Sequence, residues 1–416
     1  MKVLLVTEYF YPHSVGGTEQ YVHELAQGLN AADVDISILT ISGSKGIYKY
    51  DSFTVYTIPA NANHSKNTIA GVTPPDNLDI FTDTINGLRP DIIHFHTLTT
   101  SIGIYHYKAA NKAGIKVIFT SHIPGNTCLR GDLMKFGKNN CDGKIRLNTC
   151  QACYLHSKGL PKVISPTAAS LMRILKYPGI LSQASAMKKQ QLEQIKTICT
   201  AVVTMSNWQQ KVFLVNGFNT NTLMLSRYTF KEITNTAQAS TNGQVINIGF
   251  AGRISPEKGL HILIEAFKRL SAQRFTLKIA AIRSASHEEY LSRLLSETKE
   301  LTNIHWNFEY TPDTINNFYQ EINVLCIPSV LNETGPYVMF EAIARHIPAI
   351  ASNLGGMREW ADLNYPVTVY PHHDVNELFR LLNNFPASIA SSINYPPNRK
   401  GLDLAHEMIN VYKNGD

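Results

Sequence analysis

The sequence of 416 residues lacks long apolar runs at its start and any strong excess of one charge sign. Its first apolar run covers only residues 3–6, whereas a membrane span needs ~20 apolar residues and a signal peptide needs a longer apolar core. Charged residues make up 17% of the chain and the net charge is +6, too small to indicate a nucleic-acid partner. The 44% of hydrophobic residues excludes a disordered chain. We therefore expect a cytoplasmic protein, in solution or on the inner face of a membrane.

Cysteine is scarce and unevenly placed. Four of the six cysteines lie within 26 residues, at Cys128, Cys141, Cys150 and Cys153. A Cys-x2-Cys pair with two more cysteines upstream is compatible with a tetrahedral zinc site. Such a zinc would be structural, because four thiolates leave no open position for a substrate. Free thiols and disulfides remain alternatives, although the expected cytoplasmic location disfavours disulfides.

The first half of the chain alternates strand and helix patterns. Residues 18–30 carry apolar residues at helical spacing, with Thr18 as the expected N-cap. Apolar runs that read as strands lie at residues 2–7, 34–40, 91–95, 116–120 and 201–205. This rhythm predicts a parallel sheet with helices on both faces. The glycine pair Gly16-Gly17 is not a Gly-x-Gly-x-x-Gly turn, which disfavours a dinucleotide oxidoreductase.

A second alternating run follows a stretch at residues 226–243 that reads as a linker. Its strands are expected at residues 245–250, 277–281, 323–327, 349–351 and 366–369, and its helices at 261–270, 333–345 and 375–383. We therefore expect two doubly wound α/β lobes, at residues 1–235 and 244–400, with a ligand cleft between them. Residues 401–416 are expected to form a helix that packs back on the first lobe.

Residues 126–200 interrupt the first lobe and read as a basic insertion. They contain the cysteines and a long helical stretch at 170–200, broken near Pro178-Gly179. Residues 126–196 carry twelve Lys and Arg against three Asp and Glu, a net charge of +9 that leaves −3 for the rest. Basic residues near an anionic leaflet contribute about 1 kcal/mol each. The insertion therefore either contacts an acceptor or an anionic membrane surface, or is a solvated basic face.

Two glutamates, Glu333 and Glu341, are separated by seven residues after a predicted strand. Eight helical steps would place them about 12 Å apart along a helix. Carboxylates suit sugar hydroxyls, and the helix N-terminus between them suits phosphate. The spacing fits a nucleotide sugar, and the alternative is a pair of exposed helix glutamates.

The loop at residues 252–259 carries two cations, Arg253 and Lys258, after the first strand of the second lobe. Arginine offers a planar fork and lysine a mobile point charge, and both bind phosphate oxygens. These residues are candidate diphosphate ligands, and the alternative is that they are solvated loop residues.

The ordered motifs resemble family 4 glycosyltransferases. The resemblance rests on Pro328-Ser329, the two spaced glutamates, residues 348–352, Gly355-Gly356 with Glu359, the 252–259 loop, residues 9–17, residues 91–96 and residues 120–122. It covers nearly the whole chain except residues 126–200. One departure is Glu333-Thr334-Gly335-Pro336, where many relatives have Glu-Gly-Phe-Gly. This departure leaves the donor sugar open.

The resemblance implies a GT-B fold and a retaining transfer of a sugar from a nucleoside diphosphate donor to a saccharide or lipid-linked saccharide in cell-envelope polysaccharide synthesis. It implies no catalytic metal. By this resemblance, Arg253 and Lys258 would bind the leaving diphosphate, and Glu341 would bind the ribose. Glu333, with the amides around Thr334, Gly335 and Tyr337, would bind the hexose. His122 would lie near the reacting hexose, and Gly17 would approach the donor phosphates or the acceptor. Gly16 and His96 are candidates for the acceptor side, His96 because it ends a strand.

Two other functions remain open at this stage. A nucleotide-sugar epimerase on the same fold would convert the donor without an acceptor. A non-catalytic nucleotide-sugar-binding subunit would bind the donor without turnover, although the four charged candidates together disfavour it.

Overall fold

The computed structural model describes residues 1–14, 16–61, 71–175, 180–228, 245–311, 314–386 and 401–413. The chain divides into two compact units, residues 1–229 with 401–416, and residues 230–400. Most of the predicted linker and the predicted helix break at Pro178-Gly179 lie outside the described residues.

The first unit contains an eight-stranded sheet. Its strands are β1 (Lys2–Val6), β2 (Asp35–Ser42), β3 (Gly46–Tyr50), β4 (Phe53–Pro59), β5 (Ile92–Phe95), β6 (Lys116–Ser121), β9 (Ala201–Thr204) and β10 (Leu223–Leu225), and a separate two-stranded ribbon is formed by β7 (Met134–Lys135) and β8 (Asn139–Asn140). The strand order is β10-β9-β6-β5-β1-β2-β4-β3. Every pair is parallel except β3 with β4, which confirms the predicted parallel sheet.

The helices of the first unit cover the faces of this sheet and bury its apolar core. They are α1 (Gly17–Ala31), α2 (Leu78–Leu88), α3 (Ile104–Lys112), α4 (Leu147–Ser157), α5 (Ser165–Ile174), α6 (Ile180–Ile198) and α7 (Asn207–Leu214). The prediction of Thr18 as an N-cap was wrong, because α1 begins at Gly17 and the extended Gly16 takes the cap position. Glycine fits there without a side-chain cap.

The second unit contains a six-stranded, fully parallel sheet. Its strands are β11 (Ile246–Arg253), β12 (Phe275–Ile282), β13 (Ile304–Asn307), β14 (Val324–Ile327), β15 (Ala349–Ser352) and β16 (Val367–Tyr370). The order β13-β12-β11-β14-β15-β16 is that of the doubly wound fold. The chain reverses its direction of winding between β11 and β14, where such sheets bind ligands.

The helices of the second unit are α8 (Leu260–Phe267), α9 (Glu288–Thr298), α10 (Ile315–Gln320), α11 (Tyr337–Ile343), α12 (Met357–Asp362) and α13 (Val375–Asn383). The helix predicted at 333–345 is therefore shorter than expected, and Glu333 lies in the loop before it. Two features make the helix begin later than predicted: Gly335 has φ of 135°, which is not helical, and Pro336 takes the N-cap. The 12 Å helical spacing predicted for Glu333 and Glu341 was wrong.

The last helix, α14 (Gly401–Lys413), belongs to the first unit and packs against α1. The contact is close because an added Cβ on Gly28 of α1 would lie 2.3 Å from the carbonyl oxygen of Gly401. Tyr412 of α14 also reaches the buried His94 of β5. The C-terminal segment thus completes the core of the first unit.

The insertion folds as three packed helices, α4, α5 and α6. Ala152, Leu155 and Ala169 form its small buried core. The long helix predicted at 170–200 was wrong at its start, because α5 already begins at Ser165 and has Pro166 in its first turn, a position that tolerates proline. In the described part of the chain, no helix is long and apolar enough to cross a bilayer.

Candidate functional site

The loops that follow β11, β14 and β15 meet at one edge of the second sheet. These strands are parallel neighbours, so their carboxyl ends lie side by side. The approach of the loops requires glycine: Gly259 has φ of 70°, and an added Cβ would lie 1.9 Å from the Pro328 carbonyl oxygen. Gly355 has φ of 57°, and its Cβ would lie 2.3 Å from the Glu333 carbonyl oxygen. Glycine is therefore needed at both positions because the backbones of these loops are in close contact.

Lys258 and Glu333 form the central ion pair of this edge. The Lys258 Nζ lies 2.6 Å from Glu333 Oε1, and the two side chains are 26% and 12% exposed. Ser329 Oγ donates to the same carboxylate oxygen over 2.8 Å. Ser352 Oγ in turn donates to the Ser329 carbonyl over 2.6 Å. A cation and a carboxylate are thus held together in fixed orientation, partly open to solvent.

Arg253 supplies a second cation at the end of β11. The strand extends through Gly252 and Arg253, so the predicted loop begins two residues later than the sequence indicated. The Arg253 side chain is exposed, and it pairs with no carboxylate in the ranges that the structure describes. It is therefore able to bind an anion without first breaking an ion pair.

Glu341 lies in α11, and its carboxylate is oriented by Tyr319, a residue that was not predicted from the sequence. Tyr319 Oη donates to Glu341 Oε2 over 2.7 Å. The Arg345 guanidinium lies 4.5 Å from the centre of the Tyr319 ring and donates to the Glu341 carbonyl over 2.8 Å. Tyr319 is buried and comes from α10, eighteen residues before the helix of its partner. No local signal in the sequence connects them.

The other residues predicted for the hexose lie in the loop before α11 or at its start. Thr334 and Tyr337 are buried, and Gly335 has a positive φ of 135°. The backbone N–H of Gly356 donates to the Glu333 carbonyl over 2.7 Å. The helix has only seven residues, so the expected phosphate site at its N-terminus has little dipole behind it.

The first unit brings His96 and His122 together at the ends of β5 and β6. His96 Nδ1 lies 3.1 Å from His122 Nε2, so one imidazole donates to the other. His94 has a different environment: its two ring nitrogens lie 2.8 Å from Tyr412 Oη and 2.6 Å from Thr120 Oγ1. Both His94 nitrogens are thus used within the core, whereas His96 and His122 reach the surface of a cavity.

This cavity has a volume of about 140 Å³ and lies at the ends of β1, β5 and β6. Its lining includes Thr7, Glu8, Tyr9, Thr18, Glu19, His96, Thr97, Leu98, Thr99, His122, Ile123 and Asn126. The sequence analysis missed the two carboxylates, Glu8 and Glu19. Glu8 lies two residues after β1, and a position just after a parallel strand is a signal for a site residue. An added Cβ on Gly16 would lie 2.7 Å from Glu19 Oε2, so the predicted Gly16 gives this carboxylate room.

Burial controls the protonation of these groups. It lowers the pKa of His122 to about 3, and burial together with neighbouring His122 lowers the pKa of His94 to about 3. Burial, His94 and His122 also lower the pKa of His96. The pKa of Glu8 is raised, mainly by burial, with Glu19 adding repulsion and Thr99 acting in the opposite direction. The histidines are therefore neutral at pH 7 and act as hydrogen-bonding groups.

The four clustered cysteines line one cavity of about 490 Å³ in the insertion. All are free thiols in the structure. Backbone N–H groups point at two of them: Phe136 donates to Cys153 Sγ over 3.1 Å and Arg146 to Cys150 Sγ over 3.3 Å. However, no three metal-ligating side chains among the described residues are placed to hold an ion. The zinc site therefore stays a prediction from spacing.

Comparison with known proteins identifies the class. Among solved structures, Anabaena HepE in complex with UDP and glucose covers 99% of both chains with a TM-score of 0.66 at 14% identity. The sucrose-phosphate synthase of Thermosynechococcus elongatus covers 99% of this chain and 98% of that chain with a TM-score of 0.67 at 15% identity. The fold is accordingly that of the GT-B proteins, with two Rossmann-like domains.

Family models and relatives identify the family. Residues 16–154 match the glycosyl transferase 4-like domain and residues 232–386 match the group 1 glycosyl transferases. The chain therefore belongs to the family 4 glycosyltransferases. A lipopolysaccharide 1,2-N-acetylglucosaminetransferase of Salmonella typhimurium is 33% identical over 27% of this chain and 31% of its own. A capsular polysaccharide biosynthesis glycosyltransferase of Staphylococcus aureus is 30% identical over 26% of this chain and 28% of its own. The chain thus matches about a third of each of these relatives.

Proposed function

We propose that this protein is a retaining glycosyltransferase that moves a sugar from a nucleoside diphosphate sugar to a saccharide or lipid-linked saccharide. The observation that carries the proposal is the joint placement of Lys258, Glu333 and Ser329 at the β11–β14 edge, where a doubly wound sheet binds its ligand. The family membership fits this chemistry, and the neighbour HepE was solved with UDP and glucose.

The donor would lie along this edge with its diphosphate at Arg253 and Lys258. When the bond between the sugar C1 and the diphosphate oxygen breaks, negative charge develops on the leaving diphosphate. Fixed cations stabilise that charge without reorganisation at the moment of reaction. This role needs no catalytic metal. Glu341, oriented by Tyr319, would accept hydrogen bonds from the ribose hydroxyls, and Glu333 with the backbone around Thr334, Gly335 and Tyr337 would bind the hexose.

The cavity of the first unit would take part in binding the acceptor. His122 would face the hexose as a neutral imidazole, because burial keeps its pKa low. Gly16, Gly17 and His96 would lie on the acceptor side, together with the carboxylates of Glu8 and Glu19 that share the cavity. Carboxylates accept hydrogen bonds from hydroxyl groups, which suits a saccharide acceptor.

The names of the relatives support an acceptor class. Their names place them in the synthesis of lipopolysaccharide and capsular polysaccharide. We infer the same broad role here, on the cytoplasmic side of the cell envelope, with a lipid-linked saccharide as acceptor and the protein attached peripherally to the inner membrane face.

The first experiment is a donor screen by thermal shift with UDP, ADP, GDP and dTDP sugars. A ligand that binds only the folded state raises stability by mass action. The donor found is then used to measure release of nucleoside diphosphate with and without envelope saccharide acceptors. Release that depends on the acceptor, with a product of the donor's anomeric configuration by NMR, is the expected result.

Two variants test the site residues directly. We expect Lys258→Ala and Glu341→Ala each to lower turnover by about 10² to 10³. Lys278→Ala is the matched control, since the Lys278 side chain is also 26% exposed and also pairs with a glutamate. Full turnover in both site variants would sink the proposal. Conversion of the donor without acceptor would identify an epimerase, and a thermal shift without any turnover would identify a binding subunit.

A further inference from the structure

The helix α5 and the turn before it expose an unusual number of large apolar side chains. The exposed fractions are 88% for Val163, 54% for Ile164, 52% for Leu171, 74% for Ile174 and 71% for Leu175. Single exposed apolar residues are normal on protein surfaces, but a contiguous group marks an interaction site. We use the name α4–α5 surface for the outward-facing residues of 158–175, which lie in the connection after α4 and in α5.

Helix geometry shows that α5 is apolar on two sides. Ile164, Leu171 and Leu175 are spaced by seven and four residues, which places them on one side of a helix. Ala169 and Met172 lie on a different side and pack into the core with α4. A helix that only needed to cover the insertion would be polar on its outer side. The outer apolar side therefore has a second use.

The charged residues of the chain segment that forms this surface all have one sign. Residues 143–192 contain eight Lys and Arg and no Asp or Glu. Three of these cations, Lys158, Lys162 and Arg173, are exposed and lie in or beside α5. The apolar side chains are thus bordered by cations, and the local sequence offers no carboxylate to neutralise them.

We propose that the α4–α5 surface docks on an anionic lipid bilayer. An anionic leaflet provides both matching components, headgroup charge for Lys158, Lys162 and Arg173 and an acyl boundary for Ile174 and Leu175. A second copy of this chain is a poorer occupant, because the two equivalent surfaces would bring like charges together. The inference deepens the proposed function, on which it rests for a lipid-linked acceptor, by naming the surface that meets the membrane.

The experiment is flotation of the purified full chain with vesicles of neutral phosphatidylcholine, and with vesicles that also contain phosphatidylglycerol. We expect binding to the anionic vesicles, weak binding to the neutral ones, and loss of binding as salt is raised. The double variant Ile174→Asp/Leu175→Asp and the double variant Lys158→Glu/Lys162→Glu should each lower partitioning by about tenfold or more.

Matched controls separate docking from misfolding. Ile47→Asp changes an equally exposed apolar residue, 67% exposed on β3, and Arg293→Glu changes an exposed cation of the second unit. Both should bind vesicles like the original protein. All variants should keep the thermal unfolding midpoint and the release of nucleoside diphosphate with a soluble acceptor, since none of the altered residues belongs to the proposed site.

Three outcomes overturn the inference: equal binding to neutral and anionic vesicles, equal losses in the controls, or a surface variant that changes only the oligomeric state in sedimentation. Flotation and turnover are independent measurements. If no donor is turned over but anionic binding is lost in the surface variants alone, the proposed function fails while the docking surface stands.

Discussion

The carboxyl ends of the parallel strands form a similar edge in each of the two sheets, but the ionisable side chains at the two edges differ in burial and charge. At the edge of the second sheet, Lys258 and Glu333 remain partly exposed and charged. At the edge of the first sheet, His94, His96 and His122 are buried, and their pKa values lie far below the ordinary value. The second edge therefore holds a partly exposed ion pair, and the first holds buried imidazoles that are neutral at pH 7.

Burial explains the difference. Water partly reaches the loops after β11 and β14, so an ion pair there avoids part of the cost of desolvation. The histidines are covered by α1 and α14 through Tyr21 and Tyr412, and a cation in that environment would lack compensation. The proposed function accordingly assigns the diphosphate to the second unit and neutral hydrogen bonding by the histidines to the first.

The largest expected effect comes from acid. The folded-state pKa of these histidines lies below the unfolded value of 6.5, so the unfolded chain takes up protons first. Their contribution to stability is full above about pH 6.5 and is lost as pH falls toward about 3. Each should contribute a slope of about 1.4 kcal/mol per pH unit, or about 4 for all three.

Chemical denaturation between pH 7 and pH 4.5 measures this slope. His94→Gln should reduce it, whereas His305→Gln, whose side chain is exposed on β13, should not. A stability that is flat across this range would show that the first edge does not exclude charge.

The second largest effect is expected from a substitution at the edge of the second sheet. Gly355→Ala places a Cβ 2.3 Å from the Glu333 carbonyl oxygen at a φ of 57°, so the loop that carries Glu333 must move. We expect a loss of roughly 2–4 kcal/mol in unfolding free energy and the loss of the thermal shift caused by the donor. Gly87→Ala is the control, because nothing lies within 4 Å of its added Cβ; it should be neutral or stabilising. Retained donor binding in Gly355→Ala would contradict the need for close loop contact.

The smallest effect tests the positioning of Glu341. Tyr319→Phe removes the O–H donor to its carboxylate but leaves the ring beneath Arg345. Since a hydrogen bond to a charged group contributes about 1.5–3 kcal/mol, the KM for the donor should rise about tenfold or more while kcat changes less. Tyr290→Phe, which removes a hydroxyl that bonds to His261 instead, should leave KM unchanged. A fall in kcat alone would show that Tyr319 acts on the reaction rather than on donor binding.

Several elements were readable from local patterns alone. The strands β1, β5, β6, β9, β11 and β14 were located to within a few residues, because buried parallel strands are continuous apolar runs. Helix α13 was predicted at its observed bounds. The hairpin of β3 and β4 was missed, because the sequence of β3 does not alternate polar and apolar residues; the one local signal is Asp51, which takes a positive φ in the turn.

The sequence by itself determined the alternating α/β order, the family and the presence of glycines, cations and carboxylates in the right segments. These properties depend on local periodicity and on motifs read along the chain. Only the tertiary structure decided that Lys258 pairs with Glu333, that Tyr319 orients Glu341 and that His96 meets His122. Such contacts depend on which strands are neighbours in the sheet, and sheet order is set by packing of the whole core rather than by any local run of residues.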